Sequence, residues 1–233
     1  MRATGRLPAL AAALIMGTAS AALAAELVVV EVRGGVSLKQ GDTVNDTAPI
    51  KLEDGQMVTL VAEDGSILTL RGPYDQSPTG GKGGVDVASA LGALTTGKAQ
   101  NVAGVVRSAN TDVHLPAPWL VDVSHPGVAC VRQGEQPVLW RQSDAGGGVL
   151  TMMPSDRSWR AQTEWPTGSP TLQTPNTFPV KDGRTYLVDF GAKPVAVTLT
   201  QIPPKVTNPK MQAAWMLEKG CVAQAEALLK TVR

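Results

Sequence analysis

The chain contains only two cysteines, Cys130 and Cys221, only two histidines, His114 and His125, and 4% aromatic residues. Neither cysteine belongs to a Cys-x-x-Cys pair or has a histidine at ligand spacing, so the usual signatures of a zinc site or a dithiol redox centre are missing. A metal site built from His114 and His125 would need further ligands to which the sequence does not point. Basic residues nowhere cluster with aromatics, and 21 Lys and Arg face 20 Asp and Glu, which leaves no electrostatic footprint for nucleic acid. The Gly-rich stretch Gly80-Gly81-Lys82-Gly83-Gly84 lacks the Walker spacing that brings amides and a lysine onto phosphates, and no serine sits in a Gly-x-Ser-x-Gly elbow. No cofactor is expected.

The first residues supply Arg2 and Arg6, then an uncharged stretch from Leu7 through Ala25, with Ala22-Leu23-Ala24 placing small residues where signal peptidase requires them. Residues 1–25 are therefore expected to be a signal peptide cleaved after Ala24 or Ala25, and the mature chain to be periplasmic. The apolar core is short, Ala-rich and broken by Pro8 and Gly17, against the ~20 residues of a membrane span. No second run of spanning length follows, so no membrane span is expected after cleavage. Loss of Arg2 and Arg6 takes the formal charge from +1 to −1, which gives no electrostatic hold on an anionic membrane.

From residue 26 the pattern is one of strands. Leu27-Val28-Val29-Val30-Glu31-Val32-Arg33 is β-branched and begins to alternate, and Gly34-Gly35 turns it into Val36-Ser37-Leu38. Asp54-Gly55 and Asp64-Gly65 predict two hairpins, since Gly tolerates the positive φ of tight turns, and Gly72-Pro73 ends the ladder. The sequence Val-x-Gly-Gly-Val-Ser-Leu, then Gly41-Asp42-Thr43-Val44, then Glu63-Asp64-Gly65-Ser66-Ile67-Leu68-Thr69-Leu70, resembles the FecR domain, a small extracytoplasmic β module. The resemblance covers about residues 27–73 and implies a β module of the cell envelope at 26–76. FecR sensors pass a signal through a transmembrane helix to a cytoplasmic sigma factor. This chain departs from them in starting with an export signal and in the additional turn at Asp54-Gly55.

Residues 77–118 are predicted to be a linker, with maximal chain entropy at Ser77-Pro78-Thr79-Gly80-Gly81-Lys82-Gly83-Gly84 and one short helix between Asp86 and Leu94. Over 119–203, seven apolar runs separated by turns predict an antiparallel β-sandwich of immunoglobulin-like size, making the fold mainly β. Pro166, Pro170, Pro175 and Pro179 exclude a central strand from their segment, which is expected to be a loop or an edge. Over 204–233, Asn208-Pro209 is an N-cap and first turn, Met211, Ala214 and Trp215 share one face, and Gly220 caps the C-terminus. Val222, Ala225, Leu229 and Val232 stripe a second helix, so a helical hairpin is expected to close the chain. Two cysteines in an exported chain predict one disulfide, Cys130 to Cys221, whose 91-residue loop is worth about 4.6 kcal/mol by closure entropy.

Asp112, His114, Asp122, Ser124 and His125 bring an acid, a base and a nucleophile close in sequence, although Ser124-His125-Pro126-Gly127 reads most simply as a turn. Trp140 and Trp159, each followed by an arginine, belong on a buried strand face; Trp165, beside Pro166, is the tryptophan expected to be exposed to a ligand. The sequence thus points to a non-enzymatic, exported envelope protein that meets a protein partner as an interaction or scaffold module. Its alternatives are a glycan-binding module using Trp165 and a hydrolase using His114 or His125.

Overall fold

The computed structural model describes residues 25–78, 84–86, 89–92, 113–141, 146–191 and 193–232. Residues 1–24 of the expected signal peptide, most of the Gly-rich stretch, the segment from Thr95 to Ser108, and Asp112 lie outside them.

The fold is mainly β. Its first module pairs strands β1 (Glu26–Arg33), β2 (Thr43–Asn45), β4 (Met57–Val61) and β5 (Ile67–Arg71) in a sheet of order β2-β1-β4-β5, with β3 (Ile50–Leu52) and β6 (Tyr74–Gln76) as a separate ribbon. Leu27, Val29, Val58, Leu60 and Leu70 point toward Ile50 and Leu52 to form the module's core. Val28, Val30, Val61 and Ile67 point the other way and are equally buried. Burial on both faces explains why β1 begins with an unbroken apolar run where a half-exposed strand would alternate.

The two Asp-Gly pairs have different roles. Asp64-Gly65 joins β4 to its antiparallel partner β5 as a hairpin. Asp54-Gly55 joins β3 to β4, which pair with β6 and β1 respectively, so it is a turn between sheets and not a hairpin. Val36 and Leu38 pack on the core without joining a strand. Gly72 lies against this corner, where a Cβ would fall 1.7 Å from the Glu53 carbonyl oxygen.

The second module comprises β7 (Leu120–Asp122), β8 (Gly127–Arg132), β9 (Val138–Trp140), β10 (Gly148–Pro154), β11 (Ala161–Trp165), β12 (Thr171–Gln173), β13 (Arg184–Asp189) and β14 (Val195–Ile202). A five-stranded sheet, β11-β10-β13-β14-β8, faces a three-stranded one, β12-β9-β7. Most pairs are antiparallel as expected, but β8 runs parallel to β14 and β7 parallel to β9. Between the sheets lie Val121, Leu139, Leu150, Met152, Trp165, Tyr186, Val188, Val197 and Leu199. The Pro-rich segment does contribute an edge strand, the short β12.

Helices α1 (Pro209–Glu218) and α2 (Val222–Thr231) close the chain. Asn208 Oδ1 accepts from the Lys210 amide at 2.8 Å, the N-cap expected ahead of Pro209. At the other end of α1, Gly220 adopts φ 83°, the Gly220 amide donates to Leu217 O and the Cys221 amide to Met216 O. This pair of bonds is a Schellman motif, and it turns the chain so that Cys221 begins α2. The sequence pattern predicts one apolar face on α1, that of Met211, Ala214 and Trp215; instead every residue from Met211 to Leu217 is buried. A helix buried all round needs neighbours on more than one side. Here they are the outer face of the first module, through Val28, Val30, Val61 and Ile67, and the β8 and β14 end of the second, through Cys130 and Ile202. The hairpin is therefore common ground between the modules, and one core cluster runs through all three.

Described pieces of the segment expected as a linker are also held. Val85 exchanges backbone hydrogen bonds with Ile67 at 2.9 and 3.0 Å, and residues 89–92 form a helical turn in which the Ser89 amide donates to the Asp86 carboxylate and Ala90 is buried in the shared cluster.

Candidate functional site

Alternation along β8 sends Ala129 and Val131 into the sandwich and Cys130 to the opposite face, where the helices lie. Cys130 and Cys221 form the expected disulfide, with Cα atoms 5.8 Å apart. A second link forms beside it. Cys130 N donates to Gln224 Oε1 at 2.6 Å, and Gln224 Nε2 donates to Cys130 O at 2.9 Å. The side-chain amide thus supplies the donor and acceptor that a further strand would have offered this edge of the sheet.

On the first module, the pairing of β1 with β4 slips between Val29 and Glu31. The carbonyl of Val30, at that bulge, accepts from Lys219 Nζ at 2.7 Å, and the same ammonium donates to Gln40 Oε1 at 2.9 Å. Beside it, Glu218 Oε2 is buried and has no hydrogen-bond partner among the described residues. Burial first, then the negative charge of Glu31, push the Glu218 carboxyl up to about 7, against a smaller opposing pull from Lys219. Burial holds Lys219 below the ordinary lysine value. The hairpin is therefore fixed to one module by a disulfide and an amide, and to the other by a partly desolvated charge cluster.

His125 Nδ1 lies 2.8 Å from Asp122 Oδ2, while Asp122 Oδ1 accepts from the Ser124 amide at 2.8 Å. The carboxylate thus closes the β7–β8 turn and orients the imidazole in one stroke. His114 stands apart from this pair, 3.6 Å from Glu226 of α2 and largely exposed. A narrow cleft of about 60 Å³ runs between His125, the β7–β8 turn and the start of α2. Among the described residues no group of three or more His, Cys, Asp or Glu could hold a metal ion.

Trp165 is not exposed. It is the last residue of β11, paired with Gly148, and its side chain is 1% accessible. Its indole N–H donates to Ser169 O at 2.7 Å, Phe190 packs on it at 5.5 Å, and the Arg141 guanidinium lies 4.7 Å from the ring centre. Buried in this way, it offers no platform to a sugar. The signal was present in the sequence: polar Gln162 and Glu164 alternate with Ala161, Thr163 and Trp165, which puts Trp165 on the opposite side of the strand from them.

The sandwich instead opens beside Trp159, which precedes β11 and does not lie within a strand. A pocket of about 290 Å³ enters between edge strands β11 and β12. Its floor is Leu139, Leu150, Met152 and Phe178, all buried, and its rim includes Ala161, Thr163 and Thr177, all exposed. Trp159 meets Phe178 edge-on at 5.8 Å. The loop that forms one wall is pinned from below: Tyr186 Oη donates to Pro179 O at 2.6 Å and accepts from the Lys181 amide at 3.1 Å.

No protein-family model, curated protein or solved structure matches the chain. Among the described residues no helix is long and apolar enough to cross a membrane.

Proposed function

We propose that this is a non-enzymatic, exported protein of the bacterial cell envelope, acting in the periplasm as a protein-interaction or scaffold module. The observation that carries the reading is the shared helical hairpin, joined to the second module by the Cys130–Cys221 disulfide and to the first through Val28, Val30 and Lys219. Two β modules held in one arrangement by a buried wedge present two different surfaces at a fixed separation, which is what a scaffold must do. A disulfide also favours an oxidising compartment. The FecR-like pattern of residues 27–73 supports an extracytoplasmic role for the first module, without the sigma-factor signalling of that family.

Site-specific photo-crosslinking tests this. A probe at exposed Lys51 of β3, in the full chain expressed in its own cells, is expected to recover one predominant envelope protein. Recovery of cytoplasmic proteins only, or of no discrete partner from probes on either module, would overturn the proposal.

The Asp122–His125 pair supports a second reading, a hydrolase with His125 as base. Turnover of generic ester or glycoside substrates that disappears in His125→Ala would establish it, and its absence would remove it.

A further inference from the structure

The pocket between β11 and β12 has no part in the scaffold reading, and its chemistry is of another kind. None of its thirteen described lining residues is ionisable. The buried Thr174 hydroxyl is already committed to Pro137 O at 2.9 Å, so the floor presents only hydrocarbon, a thioether and aromatic rings. Such a surface gains by covering itself with an apolar ligand, and no charged group could enter without losing its hydration.

Volume and shape narrow the class. A dry cavity of about 150 Å³ accommodates benzene, so the roughly 290 Å³ here corresponds to about a dozen non-hydrogen atoms. Entry is between two sheets whose backbones lie about 10 Å apart, with side chains filling much of that gap. The ligand must therefore be slender. A single Leu or Phe side chain of a bound peptide would fill only part of the space. At the mouth, Thr163 and Thr177 offer hydroxyls, both exposed and uncharged, which suits a neutral oxygen-bearing head.

We propose that the sandwich binds an unbranched alkyl or acyl chain of about a dozen heavy atoms, with its neutral polar end at the β11 and β12 rim and its tail against Leu139, Leu150 and Met152. Binding needs no backbone change, because Tyr186 already holds the Pro175 to Pro179 wall in place. The chain enters as a ligand and is not transformed.

The test uses the mature full chain and straight-chain alcohols of six to fourteen carbons, each below its aggregation concentration. The Met152 methyl resonance, assigned through Met152→Leu, is followed by NMR. Saturable shifts are expected, with affinity rising about fourfold per methylene and levelling near ten to twelve carbons (about the cavity's capacity). Thr163→Trp, at an exposed edge position that tolerates an aromatic, should block the mouth and weaken binding at least tenfold, at an unchanged melting temperature. Leu172→Trp should do the same by filling the wall, and serves if the first variant folds poorly. Three results would each overturn the proposal: no shift of the Met152 methyl with any chain, affinity that keeps rising through fourteen carbons as on an open surface, or binding unaltered in both variants. None of them bears on whether the protein has an envelope partner.

Discussion

Gln224 shows how much one side chain can carry. Its amide meets both backbone groups of Cys130 on the outer edge of β8, and all three groups are buried. Truncation would take a partner from a donor and from an acceptor in a site closed to water, at about 1–3 kcal/mol for each. Gln224→Ala is therefore expected to lower stability by about 2–6 kcal/mol even with the disulfide intact, as read from urea unfolding. A loss below about 0.5 kcal/mol, the size of an ordinary surface change, would mean that water replaces the amide. Gly72 is a steric case. Its missing Cβ would overlap the Glu53 carbonyl, so Gly72→Ala must displace the corner joining β5 to β6. The expected result is a destabilised first module, seen as faster amide exchange in β3 and β6 before β13 or β14.

Local rules made some elements legible from the sequence alone. Asn208, Pro209 and Gly220 mark the ends of α1 by backbone chemistry that depends on a few neighbouring residues, and the structure uses all three. Inward alternation at Ala129 and Val131 similarly fixes which way Cys130 points. What was not legible depends on partners far along the chain. Ala213 and Met216 look like the exposed side of an amphipathic helix until the shared core cluster encloses them. Trp165 reads as exposed because Pro166 follows it, whereas its environment is set by β10, Phe190 and Arg141. The pocket belongs to no motif at all, since it arises where two edge strands from different sheets fail to meet. The covering of α1 is testable. Ala213, 0% accessible, has no room for added methylenes, and Ala213→Leu should cost about 1–3 kcal/mol despite the good helix propensity of leucine. A neutral or stabilising outcome in thermal melts would show that α1 is not closely enclosed on that side.

At the scale of the molecule, the hairpin's two attachments respond to different conditions. Reduction acts on the second module: Cys221→Ser should lower stability by about 2–5 kcal/mol and loosen α2 first, while packing in the shared core keeps the fold closed. Proton concentration acts on the first. In the folded protein the Glu218 carboxyl is raised to about 7 from an ordinary 4.5, so between these values the native state holds a proton that the unfolded chain has released. Stability must then fall as pH rises through that interval, and level off once Glu218 is ionised in both states. The sign follows from burial, which is the largest cause and disfavours the charged form. Glu31 adds to it and Lys219 opposes it. On the order of 2 kcal/mol is at stake, allowing for the part of the side chain that water still reaches. Urea midpoints are therefore expected to be higher at pH 5 than at pH 8, with Glu218→Gln removing most of that difference and retaining the stability seen at pH 5. If the wild type and Glu218→Gln show the same pH profile, the Glu218 carboxylate is solvated and the joint between α1 and β1 is insensitive to acid.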